Sequence, residues 1–130
     1  MKTILVDAVQ CFVIEKEGKY GIFKVMYHLL ETYPNLKIIL TGANDEQAKA
    51  FGLNNMPYPI FSLKHDPEKT NPKYFEMMLH HFKLKAKEVI YFEHSKEAVK
   101  SAQSVGISTY FYDNDKKDLI SLKRFIDQHL

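Results

Sequence analysis

At 130 residues the chain has the length of one domain, and its 45% hydrophobic and 26% charged residues are ordinary globular values. A formal net charge of +2, with no long basic run and no basic–aromatic interleaving, argues against nucleic acid and membrane surfaces as partners. No stretch approaches the roughly 18 apolar residues of a membrane-spanning helix, no signal-peptide pattern is present, and the single cysteine, Cys11, excludes an internal disulfide, so a reducing cytoplasmic setting is expected.

The first element is Thr3-Ile4-Leu5-Val6-Asp7, an unbroken apolar run ending in a carboxylate. Its β-branched residues suit a strand, and the lack of alternation suits one covered on both faces. Residues Ala8 to Ile14 still read as strand-like. Glu15 to Lys19 reads as a polar turn around Gly18, closing a small hairpin or flap. Ile22, Val25, Met26, Leu29, Leu30 and Tyr33 then recur at the spacing of an amphipathic helix, ended by Pro34-Asn35.

Leu36 to Thr41 is a second apolar strand closed by Gly42. Asn44 with Gln47 forms a capping box for a short helix over Asp45 to Phe51, and Gly52 suits its end. Ile60 to Leu63 is a weak third strand behind Pro57 and Pro59. Asn71-Pro72 is an N-cap followed by proline at the first helical position, and Phe75, Met78, Leu79 and Phe82 supply that helix's buried stripe. Val89 to Phe92 is a fourth strand, followed by Glu93-His94. Ser95 caps a helix striped with Ala98, Val99, Ala102 and Val105 and ended by Gly106. Ile107 to Tyr112 is a fifth strand, and Leu119, Leu122, Ile126 and Leu130 mark a last helix.

Strands and helices alternate throughout. The fold expected is therefore one α/β domain over 1–130, a three-layer Rossmann-like sandwich with a mostly parallel five-stranded sheet and helices on both faces, joined by right-handed crossovers.

The polar residues at the strand ends are Asp7, Thr41 and Glu93-His94, with Lys69 just ahead of the helix that begins at Pro72. Open α/β sheets do their chemistry at this edge. A carboxylate, a hydroxyl, an ammonium and a further acid suit phosphoryl transfer. The carboxylate attacks phosphorus, the hydroxyl and ammonium hold the phosphoryl oxygens, and the acid holds a magnesium ion.

In this order these residues resemble the haloacid dehalogenase-like (HAD) superfamily. Leu5-Val6-Asp7 looks like its first motif and Ile38-Ile39-Leu40-Thr41-Gly42 like its second. Lys69 through Phe75 looks like the lysine-containing third, and Glu93-His94-Ser95 through Gly106-Ile107 like the acidic fourth with its following helix. The resemblance implies catalytic roles for Asp7, Thr41 and Lys69, with Asp7 as nucleophile. It implies substrate binding by Thr41, Gly42 and Lys69, and a Mg2+ ion held by Asp7 and Glu93.

Departures from the pattern bear on activity. The family's phosphatases carry a second aspartate two residues after the nucleophile, as general acid and base. That position is Val9, which transfers no proton, and the loss is worth roughly 10²–10⁴-fold in rate, or about 3–5 kcal/mol of barrier. Gln10 and Cys11 replace the usual glycine and threonine. The fourth motif offers Glu93 and His94 in place of two acids, and histidine is a poor magnesium ligand.

Only 33 residues separate Asp7 from Thr41 and 27 separate Thr41 from Lys69, which leaves no room for a cap domain. An open site fits a bulky or macromolecular phosphorylated substrate, or a second subunit that covers it.

Each site residue also has a plainer reading. Asp7 orders the loop after its strand, Thr41 begins the turn before Asn44, Lys69 is solvated, or Glu93 pairs with Lys69 in place of a metal charge. His80-His81 are adjacent on a helix and point apart, so they do not chelate. His65-Asp66 lies in a loop within reach of the site. Cys11 is read as a small buried hydrophobe. Two functions remain: a magnesium-dependent phosphatase working through an aspartyl-phosphate, or a catalytically inactive module that binds a phosphorylated ligand or a protein partner. A response-regulator receiver is disfavoured, because the acidic pair it expects after the first strand is absent.

Overall fold

The computed structural model describes all 130 residues. Seven strands and five helices follow in the order β1 (Thr3–Asp7), β2 (Val13–Lys16), β3 (Lys19–Ile22), α1 (Lys24–Glu31), β4 (Lys37–Thr41), α2 (Asp45–Ala50), β5 (Ile60–Ser62), α3 (Pro72–Phe82), β6 (Val89–Glu93), α4 (Lys96–Ser104), β7 (Ser108–Phe111) and α5 (Leu119–His129). Five strands form one parallel sheet in the order β5-β4-β1-β6-β7. β2 and β3 pair antiparallel as a separate hairpin. No helix is long and apolar enough to cross a membrane.

β1 is central because every residue in it is buried, as its apolar run requires. Its side chains alternate between two cores. Ile4 and Val6 join Met26 and Leu30 of α1 and Leu122 and Ile126 of α5 on one face. Leu5 joins Tyr74, Phe75 and Met78 of α3 and Ala102 of α4 on the other. This is the expected three-layer α/β sandwich. From β1 the chain builds outward to β4 and β5, then returns to place β6 and β7 on the opposite side. The strand order therefore reverses beside β1, which puts the crevice of a doubly wound sheet at the ends of β1 and β6.

Local signals act as read. Asn44 Oδ1 accepts the Gln47 N–H at 2.9 Å and Gln47 Oε1 accepts the Asn44 N–H at 3.0 Å. Asn71 Oδ1 accepts the Lys73 N–H at 3.0 Å. Glu17 and Gly18 are both left-handed (φ 53° and 77°), the geometry that a two-residue hairpin turn needs.

Two expectations need correction. Ala8 to Phe12 is a turn and not a strand. Gln10 adopts φ 76°, and the Val13 N–H returns to Ala8 O at 2.9 Å. Most of its apolar content is nonetheless buried: Ala8, Cys11 and Phe12 are inaccessible, while Val9 is half-buried. The first helix begins at Lys24, not Ile22, because Ile22 closes β3 against Val13. Val25, counted in the apolar stripe, is 57% exposed.

Candidate functional site

An open pocket of about 420 Å3 lies at the C-terminal edge of the sheet, and Asp7, Thr41, Gly42, Lys69, Glu93 and His94 all line it. Each arrives by a separate local device. Asp7 and Glu93 end the neighbouring strands β1 and β6. Thr41 ends β4, where its hydroxyl oxygen accepts the Ala43 N–H at 3.1 Å and so also begins the turn towards Asn44. Lys69 comes from the loop ahead of α3, closed by an Asn71 N–H to Glu68 O bond of 2.9 Å. Tyr74 of α3 holds this edge together, its hydroxyl donating to Thr41 O at 2.8 Å.

The centre of the site is a charge cluster. Lys69 Nζ lies 2.7 Å from Asp7 Oδ1 and 3.0 Å from Glu93 Oε1. Both carboxylates are almost fully buried, at 2% and 1% exposure. Two anions in such a place require cations and hydrogen bonds. The His94 imidazole donates to Asp7 Oδ2 through Nδ1, the His94 backbone N–H donates to the same oxygen at 3.2 Å, and the Cys11 thiol donates to it at 3.4 Å. Glu93 accepts the Tyr91 hydroxyl at Oε1 and the Ser95 N–H at Oε2, the latter at 3.1 Å.

The acid–base consequences follow from this packing. Burial pushes the Asp7 carboxyl up, but the Lys69 ammonium and the His94 hydrogen bond outweigh it and hold Asp7 well below the usual carboxylate range. Hydrogen bonds to Asp7 and Glu93 push His94 up to about 10 against the opposing effect of burial, so it is an imidazolium at neutral pH. Burial pushes Lys69 down, but the two carboxylates more than reverse this. Burial, reinforced by Asp7 and Glu93, pushes the Cys11 thiol well above its ordinary range.

The site thus brings together Asp7, Thr41, Lys69 and Glu93, and the Lys69–Glu93 pairing weighed from sequence is present. Several partners were not foreseen. In the sequence His94 reads only as a poor magnesium ligand, and nothing local marks it as a partner of Asp7. The Tyr91–Glu93 contact had an available signal, since residues two apart on a strand share a face. His65 does approach the pocket, where its Nδ1 lies 2.7 Å from Glu68 Oε1 and its Nε2 contacts Gln47 Oε1. Phe51 adds an apolar wall, and Tyr20 of the hairpin packs on it with ring centroids 4.7 Å apart. His80 and His81 are exposed on α3 and do not line this pocket.

The fit of magnesium can be judged from the donors. Each of the four carboxylate oxygens of Asp7 and Glu93 already faces a protein donor. Lys69 and His94 already balance the two anionic charges. A magnesium ion at Asp7 and Glu93 would add two uncompensated charges and would have to displace His94, whose nitrogen is no substitute for an oxygen ligand. The arrangement of these residues does not suit magnesium.

No family model matches the sequence, and no curated protein matches it. Solved structures do. The HAD family enzyme BT-2542 of Bacteroides thetaiotaomicron, in a magnesium complex, superimposes with a TM-score of 0.70 at 16% identity over 95% of this chain and 98% of that one. A variant of the same enzyme, in complex with magnesium and inorganic phosphate, superimposes with a TM-score of 0.70 at 14% identity over 88% of this chain and 95% of that one. An uncharacterized protein of Corynebacterium glutamicum gives a TM-score of 0.65 at 12% identity, over 98% and 96% of the two chains. The chain therefore has the haloacid dehalogenase-like fold. It is a small form of that fold, with only the β2–β3 hairpin after its first strand and no cap domain.

Proposed function

We propose that the chain is a hydrolase of the haloacid dehalogenase type acting through Asp7, with weak activity on phosphate monoesters whose leaving group departs without a proton. One observation carries the reading: Asp7, Thr41, Lys69 and Glu93 converge from four separate segments on one open pocket. Asp7 is ionised and so able to attack. In the step proposed, an Asp7 oxygen bonds to phosphorus as the bond to the leaving oxygen breaks, and that oxygen takes the electron pair. Lys69 and the Thr41 hydroxyl hold the phosphoryl oxygens. Water then attacks phosphorus, releasing phosphate and restoring the carboxylate.

Val9 lines the pocket at the position of the missing acid and cannot protonate a leaving group. Aryl and acyl phosphates, whose anions leave readily, are accordingly favoured over alkyl esters. The uncapped pocket suits a bulky phosphorylated substrate. A second reading, binding of a phosphorylated ligand or a protein partner without turnover, is favoured by Val9 and by the donors on both oxygens of Asp7.

The test is hydrolysis of an aryl phosphate, with and without magnesium, by the wild type and Asp7→Asn. Turnover that Asp7→Asn removes supports the hydrolase, and the magnesium arm decides whether the metal dependence implied by the resemblance extends to this chain. Background rates in both proteins overturn the hydrolase and leave the binding module.

A further inference from the structure

Three different donor types meet beside the sheet edge: the Asp7 carboxylate, the Cys11 thiol and the His94 imidazole. One ligand atom from each lies within 4.8 Å of the others. Asp7 Oδ2 is the hub, accepting hydrogen bonds from the Cys11 thiol at 3.4 Å and from His94 Nδ1. Glu93 Oε2 lies 3.2 Å from the same His94 nitrogen. We infer that Asp7, Cys11 and His94 form a cation site that takes a borderline divalent metal such as Zn2+ or Co2+ and discriminates against Mg2+.

The donor chemistry decides the selectivity. Sulfur and imidazole nitrogen bind zinc and cobalt, whereas magnesium demands oxygen. Charge points the same way. A metal that binds the Cys11 sulfur displaces the thiol proton, so part of its charge is offset as it enters the buried cluster. Magnesium held by carboxylates alone displaces no thiol proton. The Sγ to Oδ2 separation of 3.4 Å already resembles that of two ligands on one tetrahedral ion, and the Nδ1 to Oδ2 contact must open to reach it. Metal binding here is a property of the folded chain and does not depend on turnover, so it stands or falls separately from the proposed hydrolase.

The test is titration of the full chain with Co2+, followed by absorbance. A near-ultraviolet thiolate-to-cobalt band is expected, and only Cys11 can give it because the chain has no other cysteine. Cys11→Ser should remove that band and weaken cobalt binding by roughly 10-fold or more. Excess Mg2+ should not displace the cobalt. His94→Asp should lower cobalt affinity and raise magnesium affinity, read by calorimetry, with circular dichroism confirming the fold of each variant. Absence of the thiolate band in the wild type overturns the site. Displacement of cobalt by equimolar magnesium overturns the selectivity, as does an unchanged preference in folded His94→Asp.

Discussion

His94 reaches Asp7 twice, its backbone N–H and its imidazole Nδ1 both donating to Asp7 Oδ2. Asp7, at the end of β1, is thereby tied to the residue that follows β6. His94 is pushed up to about 10 by this contact. A group raised on folding stabilises the fold fully below its unfolded value near 6.5, and that contribution is lost as pH rises through about 10. The melting temperature of the wild type should therefore fall relative to that of His94→Gln between neutrality and about pH 11, as followed by circular dichroism. A difference that stays constant across that range would refute the ion pair.

Lys69 bridges Asp7 and Glu93, and His94 is the other cation that reaches both. Lys69→Met removes the bridge and leaves two buried carboxylates with His94 alone. The expected loss is about 3–5 kcal/mol, as for other broken buried ion pairs. Urea unfolding at neutral pH measures it, and a loss below about 1 kcal/mol would place the cluster among solvent-screened pairs.

Tyr74 donates to Thr41 O at 2.8 Å and contacts Phe61 O at 3.2 Å, joining the ends of β4 and β5. Tyr74→Phe keeps the ring packing and leaves both carbonyls without this donor. A destabilisation of about 1–3 kcal/mol is expected. Thr41 lines the pocket, so any turnover should fall in the same variant.

Val9→Asp returns a proton-transfer group to a half-buried position that faces the pocket. If only that function is lost, alkyl phosphate hydrolysis should rise by about 10²–10⁴-fold, with a smaller gain for aryl esters. Equal gains on both substrates would show that proton transfer to the leaving group is not the limiting defect.

Leu5 is fully buried against Tyr74, Phe75 and Met78. Leu5→Ala should cost about 2–5 kcal/mol through lost burial and the cavity left behind. Chemical denaturation reads this directly. A much smaller value would mean that α3 settles onto β1 to fill the space.

How much of this was legible in the sequence depends on the range of the signal. Asn44 with Gln47, Asn71 with Pro72, and Ser95 announce helix starts because capping acts over three or four residues. The buried run of β1 is equally local. The Ala8 to Phe12 turn was not legible, since a turn packed inward carries the same apolar side chains as a strand. The contacts of Asp7 with His94 and Cys11 divide along the same line. Cys11 is four residues away but depends on the turn geometry at Gln10. His94 depends on the register of β1 against β6, which pairs Val6 with Phe92, and no neighbouring residue encodes that pairing.

That pairing also orders events during synthesis. β1 is made first yet acquires its second neighbour only when Val89–Glu93 has left the ribosome. Until then its β6-facing edge has no partner, Asp7 has no His94, and a chain stopped short of Val89 presents an apolar strand edge open to pairing with other chains. Nascent chains truncated before β6 should therefore depend on chaperones and aggregate when released, and the pocket cannot close until β6 is in place.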